Sequence, residues 1–194
     1  MQMGIRNVTM DNIASEMGMS KKTLYQWFKN KQELVDSISQ AHLNREKSRF
    51  LATTEQSVNS IHELILVSNC LRESMSEMKA NVLNDLQKFY PNSWAMYNRF
   101  KEEVMLKTIK DVIQRGQKEG FFRSEIDPDI LAVMRIEQVQ TFLMNHAYGT
   151  SQKELTTIQL QLFDHFVHGL FTPEGLALYN EYTKEKLKND ETIN

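Results

Sequence analysis

The chain has one cysteine, three prolines and seven glycines in 194 residues. A single thiol, Cys70, excludes an internal disulfide, and the expected location is the cytoplasm. So few breakers, set among many Leu, Met, Lys, Glu and Gln, favour helices, and no alternating strand pattern is present. Apolar runs stop well short of the roughly 18 residues that cross a bilayer, so no membrane partner is expected. No cationic start leads into an apolar stretch of the signal-peptide kind. Long like-charge blocks and low-complexity tracts are missing, which argues against extended disorder. Glycine-rich phosphate loops, nucleophile elbows and paired carboxylate–histidine metal motifs are missing too. No cofactor, metal or catalytic group is therefore expected. His62, His146, His165 and His168 lack the gathered partners that zinc commonly needs.

What remains is a 41% apolar chain, enough for a real core, with a net charge of −2. The charge is unevenly spread. Residues 1–49 carry eight basic and five acidic side chains, and the remainder carries fifteen and twenty. A modestly basic head on an acidic body suits a small module facing a polyanion, joined to a larger unrelated unit.

Residues 8–29 read as two short helices. Thr9 is placed to cap the first, with Val8 and Ile13 at the positions of a hydrophobic staple. Ile13, Ala14 and Met17 form its apolar stripe, and Gly18 follows as a left-handed terminator. Ser20 caps the second, and Met19 with Leu24 repeats the staple. Two short helices joined by the three-residue turn Gly18-Met19-Ser20 describe a helix-turn-helix. Lys21 and Lys22 then open a helix at the positive end of its dipole, where each exposed cation costs about 0.3–1 kcal/mol. An anionic groove would offset that cost, because the leading residues of such a second helix meet base edges and phosphates.

Further helices are expected from Gln32 to about Phe50, from Ser57 to Gln87, from about Asn92 to Gly116, from Pro128 to about Tyr148, after a capping box at Ser151 and Glu154, and from Thr172-Pro173 into a charged tail. The polar stretch 51–60 is the expected domain boundary.

The run "VTMDNIASEMGMSKKTLYQWFKNKQELV" at 8–35 resembles the DNA-binding segment of the TetR family of bacterial transcriptional regulators. Thr9, Ile13-Ala14, Gly18, Ser20, Thr23-Leu24-Tyr25, Phe28, Lys31 and Glu33-Leu34 carry the likeness. It implies an all-α protein, with a helix-turn-helix DNA-binding domain at 1–50 and a helical-bundle effector-binding and dimerisation domain at 51–194. The implied function is a homodimeric repressor released from operator DNA by a small molecule. A helical-bundle enzyme or a protein-binding adaptor is the alternative. Family members normally begin with a helix that covers the head, and "MQMGIRNV" resembles only its last turn, so an earlier segment is expected to precede Met1.

By position in the motif, Lys21, Lys22 and Tyr25 are expected to face bases. Thr9, Thr23, Tyr25, Gln26, Trp27 and Lys31 are expected to touch phosphates or sugars, with packing an equal alternative for Trp27. Candidate pocket residues are Cys70, Trp94, Tyr97, Phe142 and His146, all of which would also serve as plain core. Eleven methionines and this mix favour an apolar or aromatic effector. Phe163, Phe166 and Val167 are expected at the dimer interface, or in the core.

Overall fold

In a computed structural model the backbone is described for residues 4–77, 82–144 and 152–192, and the side chains for all of these except 75–77, 152–156 and 185–192. Among the described residues the regular elements are helices: α1 (Met10–Glu16), α2 (Lys21–Trp27), α3 (Lys31–Gln56), α4 (Ser60–Glu77), α5 (Val82–Phe89), α6 (Pro91–Phe100), α7 (Lys107–Lys118), α8 (Pro128–Met144), α9 (Gln152–Leu170) and α10 (Pro173–Thr192). A 3₁₀ turn, Ile5–Asn7, precedes α1, and a π-helical turn, Lys101–Leu106, joins α6 to α7.

The local grammar of the head is realised atom by atom. The Thr9 hydroxyl accepts from the Asn12 amide, and the Asn12 side chain accepts from the Thr9 amide, closing a capping box. Gly18 takes φ +64°, the left-handed conformation that ends α1 without steric cost. Ser20 accepts from the Thr23 amide to start α2, and Asn30 from the Glu33 amide to start α3. Met10, Ala14, Leu24 and Leu34 then bury together, with Ile13, Met19 and Phe28 packed against them.

α3 runs through the expected boundary. It spans 26 residues and reaches Gln56 instead of ending near Phe50. Residues 51–56 of the polar stretch are helix with a wet face, and 57–59 form a short link to α4. Thr53 is buried, with its hydroxyl on the Phe50 carbonyl, and Thr54 donates to Glu63 of α4. One continuous rod thus places Leu34 in the head core and Phe50 in the body core. The body core gathers Phe50, Ile61, Ile109, Ile113, Ile136 and Leu170, each no more than 1% exposed. A second cluster, with Val35, Leu83, Leu86, Tyr90 and Tyr97, lies where α5 and α6 meet α3.

The helix expected over 57–87 is described as α4 and α5, with 78–81 outside the described residues. The helix expected to reach Gly116 contains the π turn, which periodicity did not reveal because Val104 and Met105 also suit an α-helical stripe. Asp127 caps α8 through the amides of Asp129 and Ile130, and Thr172 caps α10 through that of Gly175. The expected end at Tyr148–Gly149 and the capping box at Ser151–Glu154 lie outside the described residues or side chains.

Candidate nucleic-acid interface and effector cavity

The leading edge of α2 is exposed at Lys21, Lys22, Tyr25, Gln26 and Trp27, whereas Leu24 is 2% exposed and anchors the opposite face. Lys21 has a local partner that its helix position did not suggest. Its ammonium lies 2.8 Å from Asp11 Oδ1 in the first turn of α1, and hydrogen bonding with that carboxylate holds its pKa above the ordinary lysine value. Lys22 is exposed and has no ion-pair partner among the described residues. Trp27 stands 75% exposed, so the packing alternative is not realised. Thr23 is half-buried, its amide and hydroxyl both engaged with Ser20. Thr9 gives both of its donors to Asn12, through its amide at 2.9 Å and its hydroxyl at 2.6 Å.

Lys31 differs from the other expected DNA contacts. Its ammonium donates to the carbonyls of Ile5 at 2.6 Å and Arg6 at 3.0 Å, and lies 5.9 Å from the Tyr90 ring centroid. It braces the first turn of the head, so its ammonium is already engaged within the chain. Arg6 completes the brace. Its amide donates to Asp85 at 3.2 Å and its guanidinium lies over Phe89, 4.7 Å from the centroid. Sequence reasoning missed this junction because its partners, in the 3₁₀ turn and α5, are far apart in the chain.

Behind the brace lies a cavity of about 730 Å³, within the range of small-molecule sites. Its walls come from both units. Ile5, Val8 and Ile13 belong to the head, and Leu86, Tyr97 and Ile136 to the body. Of the expected pocket residues, Tyr97 lines it. Cys70 packs into the body core, Trp94 stacks on Tyr97 at 5.4 Å outside the lining, Phe142 is half-buried off the wall, and His146 lies outside the described residues. Leu71 and Ser74 of α4, Ser93 and Tyr97 of α6 and Val139 of α8 are on the wall, whereas Cys70, Trp94 and Phe142 of the same helices are not. Burial pushes the Tyr97 phenol up to about 12.

Glu46 lines the cavity and is 3% exposed. Leu43, Glu46 and Phe50 share one face of α3, so an acid on an apolar stripe was the available signal. Its Oε1 accepts from Arg49 at 3.0 Å, and its Oε2 accepts from the Ser74 hydroxyl. No cluster of three metal-ligating side chains occurs among the described residues, and His165 and His168 are exposed.

The expected interface residues Phe163, Phe166 and Val167 are 7%, 4% and 0% exposed within a single chain. They pack inward on the body core, which is the alternative the sequence left open for them. Exposed apolar side chains stand instead on α8, at Ile130, Val133 and Met134, and on α9 at Leu160, between 46% and 64% exposed.

Residues 1–38 match the model described as "Bacterial regulatory proteins, tetR family". The chain is 25% identical over 153 residues to the "Uncharacterized HTH-type transcriptional regulator YvaF" of Bacillus subtilis, covering 74% of this chain and 78% of that one. It is 24% identical over 131 residues to the "HTH-type transcriptional repressor KstR2" of Mycobacterium tuberculosis, covering 66% of each. The solved structure of that ketosteroid regulator superimposes with a TM-score of 0.63, 18% identity and 87% coverage of both chains. A putative transcriptional regulator from Saccharomonospora viridis in complex with choline gives 0.68, with 19% identity over 87% of this chain and 89% of that one. The helix-turn-helix, the helical body and these likenesses agree: residues 1–38 match the DNA-binding segment of the TetR family of bacterial transcriptional regulators, and the rest of the chain has the same fold as regulators of that family.

Proposed function

We propose that the protein is a homodimeric repressor that holds operator DNA through residues 1–50 and lets it go when an apolar or aromatic small molecule enters the body. The observation that carries this reading is the composition of the cavity wall, in which head residues Ile5, Val8 and Ile13 face body residues of α5, α6 and α8. A ligand that fills this space presses on both units at once. It can shift the head only by its difference in affinity for the two arrangements.

On DNA, Lys22 and Tyr25 approach base edges, with Lys21 reaching them once Asp11 is displaced. Thr23, Gln26 and Trp27 flank the groove, and Thr9 keeps its capping role near the backbone. Lys31 acts as the brace. The exposed apolar stripe of α8, joined by Leu160, meets its copy in a second subunit. Regulation of this kind operates in the cytoplasm, where the DNA is, and needs no catalysis.

The test is fluorescence anisotropy with the duplex upstream of the protein's own gene, in the presence of small apolar molecules selected by thermal shift. A ligand that raises the melting temperature is expected to weaken operator binding at least about tenfold, a coupling near 1.4 kcal/mol. Tight ligand binding with unchanged operator affinity contradicts the reading.

A further inference from the structure

We infer that the cavity selects a cationic amphiphile, an apolar body carrying one ammonium that pairs with Glu46; this rests on the cavity being the effector site. The carboxylate is nearly water-free, on the inward stripe of α3, amid walls that include Leu71, Leu83, Leu86 and Val139. A carboxylate offers about four acceptor positions. Glu46 has one donor on each oxygen, Arg49 on Oε1 and Ser74 on Oε2, and so keeps acceptor capacity on both. The Arg49 guanidinium is shared, since its other nitrogen lies 2.5 Å from Glu73 Oε2.

Two other charged groups reach the wall. Lys31 is committed to the Ile5 and Arg6 carbonyls. Arg45 is 61% exposed, with its Nε 4.0 Å from Glu46 Oε1, and it donates to His42 Nδ1 at 3.2 Å.

Three ligand classes then differ in sign. A ligand carboxylate seated beside Glu46 meets a like charge in a poorly hydrated space. An uncharged apolar end leaves the spare acceptor positions of Glu46 unpaired and offers nothing in return. An ammonium supplies charge-assisted hydrogen bonds to the spare acceptor positions. Phe50, Phe100 and Tyr97, which also line the space, accept both the chain and the cation.

The experiment compares decylamine, decanol and decanoate, each below its micelle concentration, by calorimetric titration and operator release. The proposal expects decylamine to bind at least about tenfold more tightly than decanol, with decanoate weakest. It also expects Glu46→Gln to remove the amine's advantage while leaving decanol affinity within about threefold. The wild-type ranking needs no variant, so it stands as a test even if Glu46→Gln fails to fold. Decanoate binding most tightly, or an amine advantage that survives Glu46→Gln, overturns the proposal. Decanol releasing the operator as effectively as decylamine overturns it and leaves the effector reading intact. Failure of all three to bind overturns both.

Discussion

Lys21 and Lys22 share one helical turn but face different surroundings. Asp11 neutralises the first, which relieves part of the dipole cost that made the pair conspicuous, and the second stays exposed at that helix end. Lys22 is therefore the residue whose placement most needs an external anion. Tyr97 shows a different residue-scale effect, since its buried phenol is held at about 12 against an ordinary 10.0. Sign follows from linkage. Below pH 10 the phenol is protonated in both folded and unfolded chains, and its full contribution to stability is present. Between 10 and 12 the unfolded chain releases the proton while the folded one keeps it, so stability falls with rising pH. Urea midpoints of the wild type and Tyr97→Phe, compared from pH 9 to 11, are expected to show the wild type losing up to about 1.4 kcal/mol more per pH unit. Parallel profiles would contradict the burial account. The caps at Thr9, Ser20, Asn30, Asp127 and Thr172 involve partners within a few residues, and the first two were legible in the sequence because the apolar stripe of a short helix follows each.

At the scale of elements, what could be read depended on how far the deciding contact lay along the chain. The two head helices and their turn follow from local pattern. The length of α3 does not, because Thr53 and Thr54 are polar by type and are recruited into the helix by packing and by Glu63. Likewise, the apolar stripe of α9 was visible, but its direction was not. Packing against the rest of the body turns Phe163, Phe166 and Val167 inward and leaves Leu160 outside. The link between α9 and α10 depends on a close approach that sequence could not show. Gly175 sits in the first turn of α10, and a Cβ there would overlap the Phe121 carbonyl oxygen. The same segment is tied by Thr172 N to Phe121 O at 2.9 Å and by Arg123 N to Leu170 O at 3.0 Å. Gly175→Ala is expected to lower stability by roughly 1–3 kcal/mol, measured by chemical denaturation. An unchanged midpoint would show that the link yields freely. Arg115→Ala tests the neighbouring staple, since it strips the ion pair from Glu63, which is 3% exposed. A loss of about 3 kcal/mol is expected, and a loss below about 0.5 would mean the pair is mere decoration on the α4–α7 contact.

For the whole molecule, the charge asymmetry and the two-unit wall of the cavity fit one device. The basic head faces a polyanion, the acidic body is repelled by it, and the contacts of Arg6 with Asp85 and of Lys31 with the Ile5 carbonyl tie the first turn of the head to α5 and α3. The α8 stripe supplies what one chain leaves uncovered. Met134→Glu places a charge in that face and is expected to convert the proposed dimer to a monomer in light scattering, with a steep fall in operator affinity as the second head is lost. A dimer of undiminished stability would move the interface elsewhere. The residues that the resemblance suggested for this role, Phe163, Phe166 and Val167, lie in the body core, because which face of an amphipathic helix turns inward is set by long-range packing.

The central claim is that the start of α2 is an anion-facing edge. It is tested most directly by anisotropy titration of the wild type and the Lys21→Ala/Lys22→Ala double variant against operator and scrambled duplexes at two salt concentrations. The account predicts loss of operator preference in the double variant, together with a shallower dependence of log K on log salt, by about 0.9 for each phosphate contact removed. Unchanged affinity, preference and salt slope would contradict it.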